Sequence, residues 1–142
     1  MSAGNTFEND LLKLIFNATA IANIADNAAS APLTNLYISL HTSDPGEAGD
    51  QTTNETAYTS YARVAVARSG SGWTVTNNSV SPAATIGFPA CTGSTATITH
   101  FAVGTASSGA GKLLISGTVT PNISVSTGVT PQLTTSTALT ID

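Results

Sequence analysis

Leu36-Tyr37-Ile38-Ser39-Leu40-His41 alternates large apolar residues with others over six positions. A period of two belongs to an extended strand, here with Leu36, Ile38 and Leu40 on one face; a helix would repeat its apolar residues every three or four positions. Downstream the same signal recurs. Residues 61–68 read as a strand with Val64 and Val66 inward, and residues 73–76 follow the turn Ser69-Gly70-Ser71-Gly72. Further strands are expected at 84–88, 97–104, 113–120, 123–125, 132–134 and 138–141. Gly, Pro and Asn punctuate them roughly every ten residues, the rhythm of an all-β fold. Thr and Val, abundant throughout, suit a pleated and half-buried surface. The expected fold is mainly β: an antiparallel β-sandwich of jelly-roll type. The alternating helices that a parallel sheet needs are absent from the pattern.

Upstream the period changes. Phe7, Leu11, Leu14 and Ile15 fall at i, i+4, i+7 and i+8, one face of a helix expected over residues 6–17. Asn5 is placed to cap it, with Glu8 three residues on, and Glu8 and Asp10 lie where the helix dipole favours acids. Leu12 and Phe16 widen the apolar face, so this helix is either buried on two sides or docks in part on a partner. Residues 18–32, rich in Ala and Asn with only Ile21 and Ile24 as large apolar residues, read as a helical or irregular link. The β-sandwich then takes residues 33–142, and the 142 residues suit a single domain.

Composition narrows the function. Only 8% of residues are charged while 41% are hydrophobic, and 24 Thr with 16 Ser fill the difference. A disordered tail needs more charge and less apolar surface than this. A nucleic-acid binder needs a basic patch, yet the basic residues are Lys13, Arg63, Arg68 and Lys112 alone. No run of about 20 apolar residues is present to cross a membrane as a helix. The start of the chain lacks the basic and apolar regions of a signal peptide, which fits synthesis in a cytoplasm. Seven of the eight acids lie in the first 55 residues, and between Ser69 and Ile141 the one formal charge is Lys112. A long segment without charge fits a surface meant to touch other proteins.

Chemical motifs are weak. Around Gly109 and Gly111-Lys112 the spacing fails the phosphate-loop pattern, since Ala106 stands where Gly is needed and Leu113 follows the lysine. His41 and His100 sit on strands among apolar neighbours, so satisfied strand histidines are expected rather than general bases, and no Gly-x-Ser-x-Gly elbow accompanies them. Cys91, the single cysteine, has no internal disulfide partner and no basic neighbour to activate it. No enzyme activity and no cofactor are expected. Residues 42–60 form the longest polar stretch and read as an exposed excursion between strands. Its acids Asp44, Glu47, Asp50 and Glu55 lack EF-hand spacing; calcium is the alternative to a solvated acidic loop. Trp73 or Tyr58 would be the aromatic platform if the chain bound glycan.

Three segments carry a resemblance: residues 36–46 (Leu-Tyr-Ile-Ser-Leu-His-Thr-Ser-Asp-Pro-Gly), Tyr61-Ala62-Arg63-Val64, and Thr99-His100-Phe101-Ala102-Val103-Gly104. In this order they resemble a family of small virion proteins of tailed bacteriophages, some labelled tail-fibre proteins and others simply structural. With no repeat shaft in so short a chain, the sequence looks most like the jelly-roll cement proteins that decorate capsids of short-tailed phages. The resemblance implies a non-enzymatic protein, made in the bacterial host cytoplasm and bound to the outside of the major capsid protein lattice in the virion. Self-association is expected as well, with a two-fold dimer, the commonest closed symmetry, as the homo-oligomer. The expected contact residues are Phe7, Leu11, Leu14 and Ile15 on the helix, and Asp44, Glu47 and Tyr58 in or beside the 42–60 loop. The alternative is a tail-fibre or receptor-binding component that recognises host surface glycan.

Overall fold

The computed structural model describes residues 5–21 and 32–141. The chain is mainly β, with antiparallel pairing and one N-terminal helix, as the periodicities require. The helix α1 spans Asn5–Phe16, and among the described residues nine strands follow: β1 Asn35–His41, β2 Val64–Ala67, β3 Trp73–Thr76, β4 Ser79–Pro82, β5 Ile86–Gly87, β6 Ala96–Gly104, β7 Leu113–Val125, β8 Gln132–Leu133 and β9 Leu139–Thr140. They form sheets ordered β2-β1-β6-β7, β3-β4-β9 and β5-β8. The expected link at 18–32, with Ile24, lies mostly outside the described residues, as does any capping by the Asn5 side chain. The chain divides into two compact units that are interleaved in sequence, so neither is one contiguous segment.

The first unit comprises Met1–Asn35, Val66–Thr85 and Thr134–Asp142. Its helix buries Glu8, Leu12 and Phe16, which fall at i, i+4 and i+8. The centre of the buried stripe therefore lies one residue round from the Phe7–Leu11–Ile15 line that the spacing favours. Phe7 is 44% exposed, and Leu11, Leu14 and Ile15 are half-buried. Packing decides the matter: the Phe16 ring meets Trp73 edge-on with centroids 4.7 Å apart, a geometry aromatic quadrupoles favour. Ala18, at φ 55°, ends the helix in the left-handed region. Arg68 then satisfies carbonyls that the helix leaves open, its guanidinium donating to Ile15 O at 2.6 Å and Leu14 O at 2.5 Å.

In the same unit β3 and β4 form a hairpin in register Trp73↔Pro82 to Thr76↔Ser79. Its two-residue turn is Asn77-Asn78, with Asn77 at φ 55°, as tight hairpins of this kind demand. Asn9 Nδ2 donates to Asn77 O at 2.7 Å and ties the helix to that turn. β4 was not expected from the sequence, because Ser-Val-Ser-Pro holds one large apolar residue and ends in a proline.

The second unit comprises Leu36–Ala65 and Ile86–Leu133. β1 pairs with β6 in register Tyr37↔Gly104 to His41↔His100. Leu36, Ile38 and Leu40 are buried, as the alternation requires, but so are Ser39 and His41 on the other face. β7 runs as one strand through the two segments expected at 113–120 and 123–125. Opposite β6 its register jumps from Ile123 to Thr118 as β6 passes from Ile98 to His100, so the residues around Pro121 form an irregularity within a continuous strand. The Thr120–Pro121 peptide is cis.

The helix burial pattern yields a contrast. Phe16→Ala is expected to destabilise the chain by about 3–5 kcal/mol, whereas Phe7→Ala should stay within about 0.5 kcal/mol. Denaturant unfolding of the two variants measures it, and equal losses would contradict this helix orientation.

Candidate functional site

The most elaborated feature is the 42–60 excursion, which starts where β1 ends. Backbone pairs close its neck: Thr42 N donates to Asn54 O at 2.9 Å and Thr56 N to Leu40 O at 2.9 Å. Short polar side chains then write the turns that the Asp, Asn, Gly and Thr content predicts. Asp44 Oδ1 accepts from Gly46 N at 2.9 Å, and Asn54 Nδ2 donates to Asp44 O at 2.8 Å. Asp50 Oδ1 accepts from the Thr52 hydroxyl at 2.6 Å and its amide at 2.7 Å, and these bonds hold the Asp50 carboxyl below the usual carboxylate range.

Beneath the loop lies a buried polar network. His41 is fully buried. Its Nδ1 faces the Thr53 carbonyl at 2.8 Å, which can only accept, so Nδ1 carries the proton and Nε2 accepts from the Ser39 hydroxyl at 2.8 Å. This fixes one neutral tautomer, and burial lowers the His41 pKa from 6.5. Gln51 is also fully buried. Its Oε1 accepts from Ala106 N at 3.0 Å, its Nε2 donates to Tyr37 O at 3.3 Å, and its own amide donates to Gly111 O at 3.0 Å. Gly104 and Gly111 make room for it, since a Cβ at either position would overlap the Gln51 carboxamide.

The third part is an ion pair. Arg63 meets Glu55 through two parallel bonds, Nε to Oε1 at 2.7 Å and Nη2 to Oε2 at 2.8 Å. The same guanidinium donates to Ala106 O at 2.9 Å and Gly109 O at 2.8 Å. The side chains are 2% and 16% exposed, Arg63 first. Tyr61 completes the set, its hydroxyl donating to Glu55 Oε1 at 2.8 Å and accepting from Leu40 N at 3.0 Å; burial pushes its pKa upward. The network therefore joins the 42–60 loop, the start of the 61–68 segment and the loop between β6 and β7.

The expected contact residues separate on this frame. Asp44 and Glu47 are exposed on the loop. Tyr58 is a correction: it is 3% exposed, its hydroxyl donates to Pro89 O at 2.8 Å, and its ring packs edge-on against Tyr61, so it offers no contact surface. Trp73 is 2% exposed, which removes both aromatic platforms considered for glycan. The four acids of the loop are spent separately or stand apart, and among the described residues no three His, Cys, Asp or Glu side chains gather as a metal site. His100 Nδ1 lies 2.8 Å from the Thr99 hydroxyl, and buried Cys91 donates to Gly93 O at 2.9 Å. Sequence reasoning missed Gln51 and the Glu55–Tyr61–Arg63 cluster. The faint signal was Arg63 eight residues after Glu55, with Gly104 and Gly111 in a stretch that carries no charge between Ser69 and Gly111.

The network has two measurable consequences. Gly111→Ala should destabilise by about 1–3 kcal/mol through overpacking, and Gln51→Ala by a similar amount through the unpaired Ala106 amide; denaturant unfolding measures both. The second concerns pH. Because burial disfavours the His41 imidazolium, the unfolded chain takes up that proton first as pH falls below 6.5. The stability linked to His41 is complete above that pH and declines as pH drops toward the lower folded value, with a slope of at most about 1.4 kcal/mol per pH unit. Thermal unfolding between pH 7 and 5.5 should show this slope in the parent chain and lose it in His41→Gln.

No curated protein matches the chain. The family model described as "Podophage GP4 fiber I protein gp80" matches residues 2–141, nearly the whole length. The chain belongs to that family, and it is a structural protein of a short-tailed phage virion.

Proposed function

We propose that the chain is a non-enzymatic component of the fibre apparatus of a short-tailed phage. The observation that carries this is the end-to-end match to a family described as a fiber protein. The chemistry of the described residues agrees with a mechanical role. The buried polar groups of the 42–60 region serve one another: both His41 nitrogens are occupied, and Glu55 is engaged by Arg63 and Tyr61. Such a network stiffens a loop and leaves no free acid–base pair to attack a substrate. The exposed loop acids, Asp44 and Glu47, and the half-buried helix residues Leu11, Leu14 and Ile15 with exposed Phe7 are the contact residues this role would draw on.

A second reading, capsid cement, is favoured by composition and architecture. The chain is short and β-rich, and from Ser69 to Ile141 it carries only Lys112 as a formal charge. In that role it binds the outside of the major capsid protein lattice and stabilises the assembled shell by linkage, each copy adding a small term that repetition multiplies.

Copy number separates the two. Quantitative mass spectrometry of purified virions, against the major capsid protein, is expected to find a small number of copies matching the three-fold or six-fold symmetry of a tail. Hundreds of copies in a simple ratio to the shell protein would overturn the fibre assignment and establish cement.

A further inference from the structure

β7 lies at the end of its sheet, paired on one side with β6, and among the described residues no strand pairs with its outer side. It is 13 residues long, well beyond the usual strand of about five or six. A free edge of this length presents a row of unpaired backbone donors and acceptors, which natural proteins blunt with charge, proline or bulges. Here the blunting devices sit toward the ends, where a register shift between Val103 and Gly104 also leaves Leu114 as an extra residue near the start of the strand. Lys112 precedes the strand, and Pro121 lies in the irregular stretch. Between them residues 113–120, Leu-Leu-Ile-Ser-Gly-Thr-Val-Thr, carry no charge and no proline. Leu113, Leu114 and Ile115 are each only half-buried, and Thr118 and Thr120 are exposed. A segment so rich in β-formers would aggregate if it were left open.

We infer that this edge is closed by the same edge of a second copy, β7 against β7, antiparallel about a two-fold axis normal to the sheet. The occupant follows from charge and self-complementarity. A two-fold axis at Ser116 sets Leu113 opposite Val119 and Leu114 opposite Thr118, so apolar and β-branched residues meet across the strands. It also sets Lys112 opposite Thr120, which keeps the two ammonium groups eight residues apart along the joint, about 27 Å, far beyond the Debye length of about 8 Å. Identical surfaces usually repel through their like charges; this one has none to oppose. The two sheets of four become one continuous sheet of eight. The inference stands whether the chain works in a fibre or on a shell.

Sedimentation velocity on the full chain across a concentration series tests it. A monomer–dimer equilibrium is expected. Ser116→Lys and Ser116→Glu should each weaken the dimer at least tenfold, because like charges then face each other across the axis. An equimolar mixture of the two variants should restore it, because opposite charges meet. Near-UV circular dichroism reports whether each variant keeps its fold. Should either fail to fold, hydrogen exchange on the unsubstituted chain decides: amides within residues 113–120 slow as concentration rises. A chain that stays monomeric, or a dimer that Ser116→Lys leaves intact, overturns the proposal. Protection of those amides only on adding another virion protein would assign the edge to that protein and overturn it equally.

Discussion

The second unit depends on one guanidinium. Arg63 donates to both Glu55 oxygens and to the carbonyls of Ala106 and Gly109, so one planar group joins two loops far apart in sequence. Its rigid fork suits this task better than a lysine ammonium, which would offer a point charge. The pair is nearly dry, and a buried pair gains little net stability over an apolar substitute, yet losing one partner costs about 3–5 kcal/mol. Its worth is specificity of arrangement. Once Glu55 is fixed, the neck of the 42–60 loop closes on β1, and the loop covers the second face of that strand. That cover is why Ser39 and His41 are buried when strict alternation would leave them wet.

What was legible in the sequence was what period alone determines. β1, β3 and β6 lie within a residue of where the sequence places them, because runs of apolar and β-branched residues bounded by turn signals mark their extent. α1 was legible as a helix, but its buried stripe was not. Phe7, Leu11, Leu14, Ile15, Leu12 and Phe16 surround more than half the helix, and periodicity cannot choose among overlapping stripes; Trp73 chooses, by packing on Phe16. β4 escaped notice because its pairing is set by the Asn77-Asn78 turn rather than by its own apolar content. β7 was split in two because a Pro-Asn step normally ends a strand, and here it is absorbed as an irregularity.

The loop was legible as an excursion and opaque as a structure. Its acids suggest a single electrostatic role, whereas the structure gives each a separate task. Asp44 and Asp50 shape turns, Glu55 is drawn inward, and Glu47 remains on the surface. Only Glu55 meets an arginine, and the pairing with Arg63 bridges eight residues through a turn that no local rule fixes. Gln51 is the clearest case. Glutamine is usually a surface residue, and its burial follows from two glycines more than 50 positions away that leave a slot of its shape.

The same network changes what the surface can do. Of four basic residues, Arg63 serves Glu55 and two carbonyls, and Arg68 serves the end of α1. The positive charge left for partners is that of Lys13 and Lys112. With no basic patch left, the field of the chain is that of its acids, net charge −4, and it cannot steer an acidic partner over distance. Recognition must then rest on what acts at contact: backbone edges, hydroxyls and apolar fit. For a virion structural protein that is an advantage of a physical kind. The acids that give each copy its net charge of −4 lie almost wholly in the first 55 residues, so copies can be brought side by side along the segment from Ser69 to Ile141 with little like charge opposed there.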